Sequence, residues 1–169
     1  MNSTIANLAN RPKPSMPDLT VAIVPYAAAE PTLTQIRTRV FQDEQGVPAE
    51  LEFDGQDAIA THFLAHWRGQ PVATLRLRPL NETTLKLERL AVLPEARGQG
   101  IATALTQAAL DYAQTHAYQA ITLNAQAYIQ GLYQRLGFTI NGTEFLEAGI
   151  PHIKMSKVLE PIPHKITSG

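Results

Sequence analysis

A glycine-rich segment near the middle of the chain has the residue types of a phosphate-binding loop. It reads Arg97-Gly98-Gln99-Gly100-Ile101-Ala102 and stands directly before a stretch with helical periodicity. Two glycines let the backbone curl so that successive N–H groups point into one concavity, and the dipole of the following helix adds partial positive charge there. The segment therefore predicts an anion site. A turn that merely joins strand to helix explains the glycines, but not Arg97 and the small Ala102 beside them.

Motifs that the sequence lacks limit which class of phosphate site this loop can be. No Gly-x-x-x-x-Gly-Lys-Ser/Thr sequence occurs, so the lysine and hydroxyl of a P-loop are absent. A dinucleotide-binding fold would place Gly-x-Gly-x-x-Gly after its first strand within a run of parallel strands. Here the segment follows the fourth predicted strand of a mostly antiparallel set. Both of these common classes are therefore disfavoured.

The elements that position this loop follow from the spacing of apolar residues. The patterns predict strands at residues 20–26, 62–67, 72–78, 83–93, 120–124, 138–146 and 153–158. They predict helices at residues 31–45 and 128–136, and a helix of about four turns marked by apolar residues from 101 to 112. This order predicts an α/β (mixed α+β) fold: a mixed, mainly antiparallel sheet of six to seven strands, with helices on both faces and a parallel strand-helix-strand crossover around the loop. Alternation in the third strand predicts a solvent-facing set of Thr74, Arg76 and Arg78.

The fourth strand changes the phase of its apolar alternation. Leu85 and Leu87 follow one phase, whereas Leu90 and Val92 follow the other. A period of two cannot change phase unless one residue is left out of register, and a β-bulge does this. The pattern predicts a bulge near Glu88 and Arg89 and a strand that separates from its neighbour there. A strand buried on both faces is the alternative.

Composition limits the classes of protein that remain. The 169 residues (18.5 kDa) suit one domain, with 44% hydrophobic and 17% charged residues, and the net charge of -1 disfavours nucleic acid or an anionic membrane as partner. No cysteine is present, which excludes disulfides and thiolate nucleophiles, and no spacing of metal ligands occurs. The longest apolar run has four residues, so we expect a cytoplasmic protein. Prolines predict a flexible arm at residues 1–18 and a tail at 160–169 around a domain at 19–159.

Three segments in order resemble the GNAT superfamily of N-acetyltransferases. The glycine loop matches its Gln/Arg-x-x-Gly-x-Gly/Ala signature. The matching flanking segments are Leu90-Ala91-Val92-Leu93-Pro94 before the loop and Tyr133-Gln134-Arg135-Leu136-Gly137-Phe138 after it. The resemblance covers residues 20–158. Segments at residues 40–48, 54–57 and 149–152, together with His62, are similar to the ElaA-like branch.

The resemblance implies acetyl-coenzyme A as co-substrate and assigns its contacts. Its diphosphate would lie on the loop and its pantetheine along the fourth strand, so the coenzyme-binding candidates are Leu90, Ala91, Val92, Arg97, Gly98, Gln99, Gly100, Ile101, Ala102 and Thr103. Asn124 ends the neighbouring strand and is either a pantetheine partner or only a turn residue. Tyr133 resembles the tyrosine that protonates the leaving thiolate in many family members. Without the resemblance it reads as a core tyrosine.

An acyl transfer of this kind also needs a base and an oxyanion donor. Glu88, at the predicted bulge, is the positional candidate for the base, with a carboxylate paired to Lys86 or Arg89 as the alternative. A backbone N–H freed near Leu90 or Val92 is the candidate donor. His62 and His152 are further base candidates. With Glu44, on the first helix, they are also our candidates for binding the acceptor.

The chain is electrically two-sided along its sequence. Residues 40–67 contain six acids and no lysine or arginine, which predicts an acidic lip that attracts a cationic acceptor; solvated loops are the alternative. The expected enzyme is a monomer or homodimer that acetylates a primary amine on a small molecule or peptide. A non-catalytic acyl-coenzyme A sensor is the second hypothesis, and a plain interaction domain is the third.

Overall fold

Eight β-strands form one mixed sheet in the part of the chain that the computed structural model describes, residues 18–163. Most of the predicted arm and the last six residues of the predicted tail lie outside this range. The sheet order is β1-β2-β3-β4-β5-β8-β6, with β7 also paired to β8. The strands are β1 (Leu19–Val24), β2 (Thr61–Trp67), β3 (Gln70–Pro79), β4 (Thr84–Val92), β5 (Ala120–Gln126), β6 (Thr139–Ile140), β7 (Phe145–Glu147) and β8 (Ile150–Val158).

Helices cover both faces of this sheet. They are α1 (Tyr26–Arg37), which continues as a π-helix (Thr38–Glu44), then α2 (Ala49–Glu52), α3 (Ile101–Thr115) and α4 (Gln130–Arg135), with short 3₁₀ turns at Asp57–Ile59, Pro94–Ala96 and Ala127–Ile129. The larger buried cluster lies between the sheet and α3, where Leu85 and Leu87 pack in one core with Leu105 and Ala109. The smaller cluster lies beneath α1. The predicted α/β class is confirmed, with eight strands instead of six to seven.

The predicted bulge is present in β4. Thr74 pairs with Ala91 and Arg76 pairs with Glu88, so two residues of β4 oppose the single Leu75 of β3. Arg89 is one of the two and adopts a left-handed conformation with φ of 57°. Leu90 is the other, and Leu90 and Val92 pack on the same cluster as Leu85 and Leu87, which is the phase change seen in the sequence.

β4 and β5 are parallel, and they separate at the level of the bulge. Their register runs from Thr84 with Ala120 to Leu87 with Leu123 and ends there, although both strands continue. Backbone groups on the facing edges beyond Leu87 are therefore left without a strand partner. This opening is where the carboxyl ends of parallel strands create a crevice.

Several predicted boundaries were wrong. The first helix begins at Tyr26 instead of residue 31, with Pro31 inside it, and ends as a π-helix. The predicted strand at 138–146 is two short strands separated near Gly142, whose φ is 106°. β8 begins at Ile150, after a turn in which Ala148 and Gly149 have positive φ, so His152 lies inside a strand instead of in a loop.

Two of the three residues that the sequence predicted to face solvent on β3 are buried, and the third, Arg78, is partly buried. Thr74 and Arg76 are each 1% exposed, because α1 and the segment that follows it cover this face. Within residues 18–163, no helix is both long and apolar enough to cross a membrane.

Candidate active site

A cavity of about 720 Å³ opens where β4 and β5 separate. Its walls combine the bulged strand, the end of β5, α4, the segment after α1 and the β7–β8 hairpin. Of the sequence-predicted residues it brings together Glu88, Leu90, Ala91, Val92, Arg97, Ala102, Asn124, Tyr133 and His152. The side chains of Glu44, His62, Gln99, Ile101 and Thr103 do not line it, nor do Gly98 and Gly100.

The glycine loop leaves a row of backbone donors exposed at the mouth of this cavity. Gly98 and Gly100 both have φ of 76°, and Gly100 is the N-cap of α3 with no side-chain cap. Among residues 18–163, no turn, loop or side-chain acceptor receives the N–H groups of residues 98–103. A Cβ built on either glycine meets nothing within 4 Å, so open space lies beside the backbone at both positions. The loop fits an anionic group.

The Arg97 side chain is partly exposed and is already paired within the protein. Its Nη1 and Nη2 each donate to the Glu44 carboxylate at 2.7 Å, and its Nε donates to the Val92 carbonyl at 3.0 Å. Hydrogen bonding from Arg97 lowers the pKa of Glu44. Glu44, a sequence candidate for acceptor binding, is thus a partner of the loop arginine.

The Tyr133 hydroxyl faces the cavity from α4. The residue is 3% exposed and its ring packs edge-on to Phe138 at 5.7 Å. No residue in the range 18–163 hydrogen-bonds its phenol oxygen, and this oxygen keeps contact with the open space of the cavity. Burial raises the pKa of Tyr133 well above its usual value, so the phenol keeps its proton.

Polar side chains of β5 line the adjacent wall. Asn124 lies inside the strand, and its Nδ2 is 3.4 Å from the Glu147 Oε1. Two residues on, Gln126 exchanges a side-chain hydrogen bond of 2.8 Å with Gln45 at the end of the π-helix. Asn124 is not a turn residue, which was the alternative from the sequence, because β5 continues past it to Gln126.

Glu88 is saturated by cations, and the structure contradicts its predicted role as a base. Its carboxylate accepts hydrogen bonds from Arg76 at 2.7 Å and from Arg78 at 2.9 Å, with the Lys86 Nζ 3.4 Å away. Although burial acts in the opposite direction, these guanidinium groups lower the pKa of Glu88 to about 2. A carboxylate held so firmly in its charged form is a poor proton acceptor. The sequence alternative paired Glu88 with Lys86 or Arg89, but its principal partners are Arg76 and Arg78.

The same ion network continues behind the cavity wall. Arg37 and Arg76 are each 1% exposed and share Asp57 at 2.8 and 2.9 Å. Arg37 also contacts Glu52 at 2.5 Å, and Arg76 contacts Asp54 at 2.8 Å. These ion pairs hold the segment after α1 against the sheet. Losing one partner of a buried pair would leave an uncompensated charge, which is strongly destabilising.

This network overturns the predicted acidic lip. Glu52, Asp54 and Asp57, half of the acids in residues 40–67, are neutralised by arginines of other elements, and Glu44 is paired with Arg97. Sequence reasoning missed Arg37, Arg76 and Arg89 as the partners of these three acids. The signal was available: arginines alternate on β3 directly after a run of acids without bases.

His62 is a structural residue, and its predicted contact with the acceptor was wrong. The side chain is 1% exposed, its Nε2 is 2.8 Å from the Asp57 carbonyl oxygen, and its ring stacks on Tyr26 at 5.0 Å. Burial lowers its pKa, so the imidazole is neutral near pH 7. His62 does not line the cavity.

His152 is the histidine that the structure places in the cavity. Its Nδ1 lies 2.7 Å from the Ile150 carbonyl oxygen. Since a carbonyl only accepts, Nδ1 carries a proton. Nε2 is therefore the nitrogen whose lone pair is available to accept a proton. The Glu147 carboxylate lies 3.5 Å from Nε2. The pair resembles the oriented imidazoles that take up protons in enzymes.

The architecture and this site define a transferase of acyl groups from a coenzyme A carrier. The family model described as the acetyltransferase (GNAT) domain matches residues 27–159, so the chain belongs to this family. It is an acetyl-coenzyme A-dependent acyltransferase.

Solved and curated relatives agree with this assignment. The chain is 33% identical to an acyl-CoA N-acyltransferase of Pseudomonas aeruginosa, with a TM-score of 0.73 over 82% of this chain and 99% of that one. Escherichia coli ElaA is 26% identical, with a TM-score of 0.75 over 82% and 99% of the two chains. An uncharacterised N-acetyltransferase of Bacillus subtilis, YjcF, is 34% identical over 123 residues, which are 72% of this chain and 87% of that protein.

Proposed function

We propose that this protein transfers the acetyl group of acetyl-coenzyme A directly to a primary amine, on a small molecule or a peptide. The observation that carries the proposal is the position of the cavity. Exposed loop N–H groups lie at one end, and the buried Tyr133 phenol, which has no hydrogen-bond partner among residues 18–163, lies along it. The similar protein from Pseudomonas aeruginosa is an acyl-CoA N-acyltransferase, which supports nitrogen as the acceptor atom.

The coenzyme would be held by the loop and the open edge of β4. The free N–H groups of residues 98–103 fit a diphosphate, and the space before Gly98 and Gly100 leaves room for it. The edge of β4 beyond Leu87 has unpaired backbone groups, which suit the amides of pantetheine. The bound thioester supplies the acetyl carbon and a thiolate leaving group.

The reaction forms a nitrogen–carbon bond and breaks the carbon–sulfur bond. One proton leaves the amine and one is delivered to the sulfur, so no oxidant or other co-reactant is needed. A backbone N–H near Leu90, released from the ladder by the bulge, would stabilise the negative charge that develops on the carbonyl oxygen. Such a donor typically contributes about 2.7 to 4 kcal/mol.

Tyr133 would protonate the sulfur. Its raised pKa keeps the proton on the phenol at neutral pH, as an acid requires. The same burial that raises the pKa of the phenol also destabilises a thiolate in this cavity, so the proton is handed over as charge reaches the sulfur. The Tyr133 ring, which a phenylalanine would keep, would also contact the coenzyme from the cavity wall.

His152 would take the amine proton. With Nδ1 donating to the Ile150 carbonyl, Nε2 is oriented toward Glu147, whose carboxylate stabilises the imidazolium that forms. His152 replaces Glu88 as the proposed base because the pKa of Glu88 is lowered. Asn124, 3.4 Å from Glu147, would position that carboxylate or a pantetheine amide.

Calorimetry with acetyl-coenzyme A, followed by a mass-shift screen of diverse amines, tests the proposal. The Gly100→Glu variant is the blank, because its carboxylate would occupy the space of the diphosphate. We expect heat and acetylated products with the wild type and neither with the blank. Binding without transfer to any amine would favour a non-catalytic sensor, and an absence of binding would sink the proposal.

A further inference from the structure

Three cationic side chains line the cavity at the bulge and on the side of it away from the glycine loop. Arg78 comes from β3, and Lys86 and Arg89 come from β4. Their side chains are 21%, 25% and 21% exposed. Arg78 and Lys86 are register partners on neighbouring strands, so their side chains leave the sheet side by side.

The ion network around them carries an excess of positive charge. Within residues 18–163, its cations are Arg37, Arg76, Arg78, Lys86 and Arg89 and its anions are Glu52, Asp54, Asp57 and Glu88. Five cations face four carboxylates, which leaves one positive charge uncompensated inside the cluster.

The excess lies at the cavity wall, at Arg78 and Lys86. The two fully buried arginines each contact at least two carboxylates, whereas Arg78 and Lys86 share only Glu88 with Arg76. Lys86 makes a single contact, at 3.4 Å. Arg78 binds Glu88 through Nε and Nη2, so its Nη1 has no partner among the described residues. Both groups keep donors for a ligand.

The wall contributed by the β7–β8 hairpin has the opposite character. It presents the His152 and Glu147 pair, the proposed destination of the amine proton. An acceptor in this part of the cavity therefore meets a proton acceptor on one wall and cationic donors on the other.

Resting on the proposed function, we infer that the acceptor is an amine that also carries an anionic group, and that Lys86 and Arg78 bind this oxyanion. Carboxylate and phosphate share the chemistry that the two side chains recognise. Lys86 lies four residues before Leu90, and because the bulge at Arg89 shortens this segment, the distance along the strand is less than about 13 Å. Because a lysine side chain spans part of that distance, the amine and the oxyanion should be separated by several bonds.

Matched pairs of acceptors test the inference. The probes are glycine, β-alanine, 4-aminobutyrate and 6-aminohexanoate, each with its carboxamide, and phosphoethanolamine with ethanolamine. We expect the acids to react with a KM about 10-fold below that of their amides, with an optimum in chain length, because hydrogen bonds between charged groups are stronger than those to a neutral amide. The phosphate pair shows which oxyanion is preferred.

The Lys86→Met variant assigns the effect to the site. It removes one 3.4 Å contact and keeps the length of the side chain, so it should raise the KM of the acid about 10-fold without changing that of the amide or of acetyl-coenzyme A. Lys154→Met is the matched control, since Lys154 is an exposed lysine that does not line the cavity. Arg78→Gln is the second variant.

Calorimetry of the same probes with the coenzyme A-saturated protein keeps the inference testable without turnover. Equal affinity and equal KM for acids and amides, or an equal loss for both in Lys86→Met, overturns the inference and leaves the proposed function standing. A preference for acids in binding, with no acetylated product from any amine, supports the subsite and counts against the proposed function.

Discussion

The Glu44 carboxylate accepts two hydrogen bonds of 2.7 Å from the Arg97 guanidinium and thereby ties the end of the π-helix to the start of the glycine loop. Both side chains are partly exposed, at 38% and 42%. The pair neutralises the one arginine of the loop that faces the cavity.

Removing the carboxylate should strengthen coenzyme binding. In Glu44→Gln the Arg97 charge becomes available to the diphosphate, so we expect the Kd for acetyl-coenzyme A to fall about 3-fold, with little change in stability because exposed pairs contribute roughly 0 to 1 kcal/mol. Arg97→Gln should raise the same Kd. Calorimetry measures both. Weaker binding in both variants would mean that Glu44 orients Arg97 instead of competing for it.

A methyl group on the loop should interfere with the coenzyme. Gly100→Ala strains a residue with φ of 76° by about 1 kcal/mol and places a Cβ in the space before the free N–H groups. Gly69→Ala is a matched control, because Gly69 also has φ of 76° and open space but lies in the β2–β3 turn. Equal losses of Tm are expected, with at least a roughly 10-fold rise in Kd for Gly100→Ala alone. Unchanged affinity in Gly100→Ala contradicts the loop assignment.

Loss of the Tyr133 hydroxyl should slow the chemical step. Tyr133→Phe removes a phenol that has no partner among the described residues, so stability should change little, while kcat falls about 10²- to 10⁴-fold and the Kd for acetyl-coenzyme A stays constant. Tyr118→Phe, on a partly buried tyrosine outside the cavity, is the control. Full activity in Tyr133→Phe would contradict the acid role and would mean that Tyr133 is only a core residue.

The two buried histidines should separate catalysis from stability. His152→Gln should lower kcat at neutral pH because Nε2 is lost, with the largest loss at the pH where the wild type is most active. His62→Gln should lower the free energy of unfolding by about 1 to 3 kcal/mol, since a buried hydrogen bond to the Asp57 carbonyl is disturbed, without changing KM. Stopped-assay rates over pH and urea unfolding measure the two effects. The reverse pattern would contradict both assignments.

Acid should destabilise the protein through Glu88. Its pKa is lowered from 4.5 to about 2 in the folded protein, so its contribution to stability is present above pH 4.5 and is lost as the pH falls toward 2. Glu88→Gln should be less stable at pH 7 and should show a flatter loss between pH 4.5 and 2. The exposed Glu82→Gln is the control. Parallel acid limbs in wild type and Glu88→Gln would contradict the ion network.

Much of the scaffold was predictable because it depends on near neighbours in the chain. The change of phase from Leu87 to Leu90 located the bulge, and the spacing of the two glycines located the turn in which both have positive φ. The start of the first helix was missed, since Ala27, Ala28 and Ala29 carry no apolar periodicity and Pro31 argues against a helix interior.

The charges of the site were not predictable in the same way. The sequence by itself determined that acids lie in residues 40–67 and that arginines alternate on β3, and both looked like solvated surfaces. Only the tertiary structure brought Asp54 to Arg76, 22 residues away, and Glu88 between two guanidinium groups. Local pattern sets the conformation of a segment, but a charge acquires its partner and its pKa from whatever the folded chain packs against it, and that is decided by contacts that no local spacing encodes.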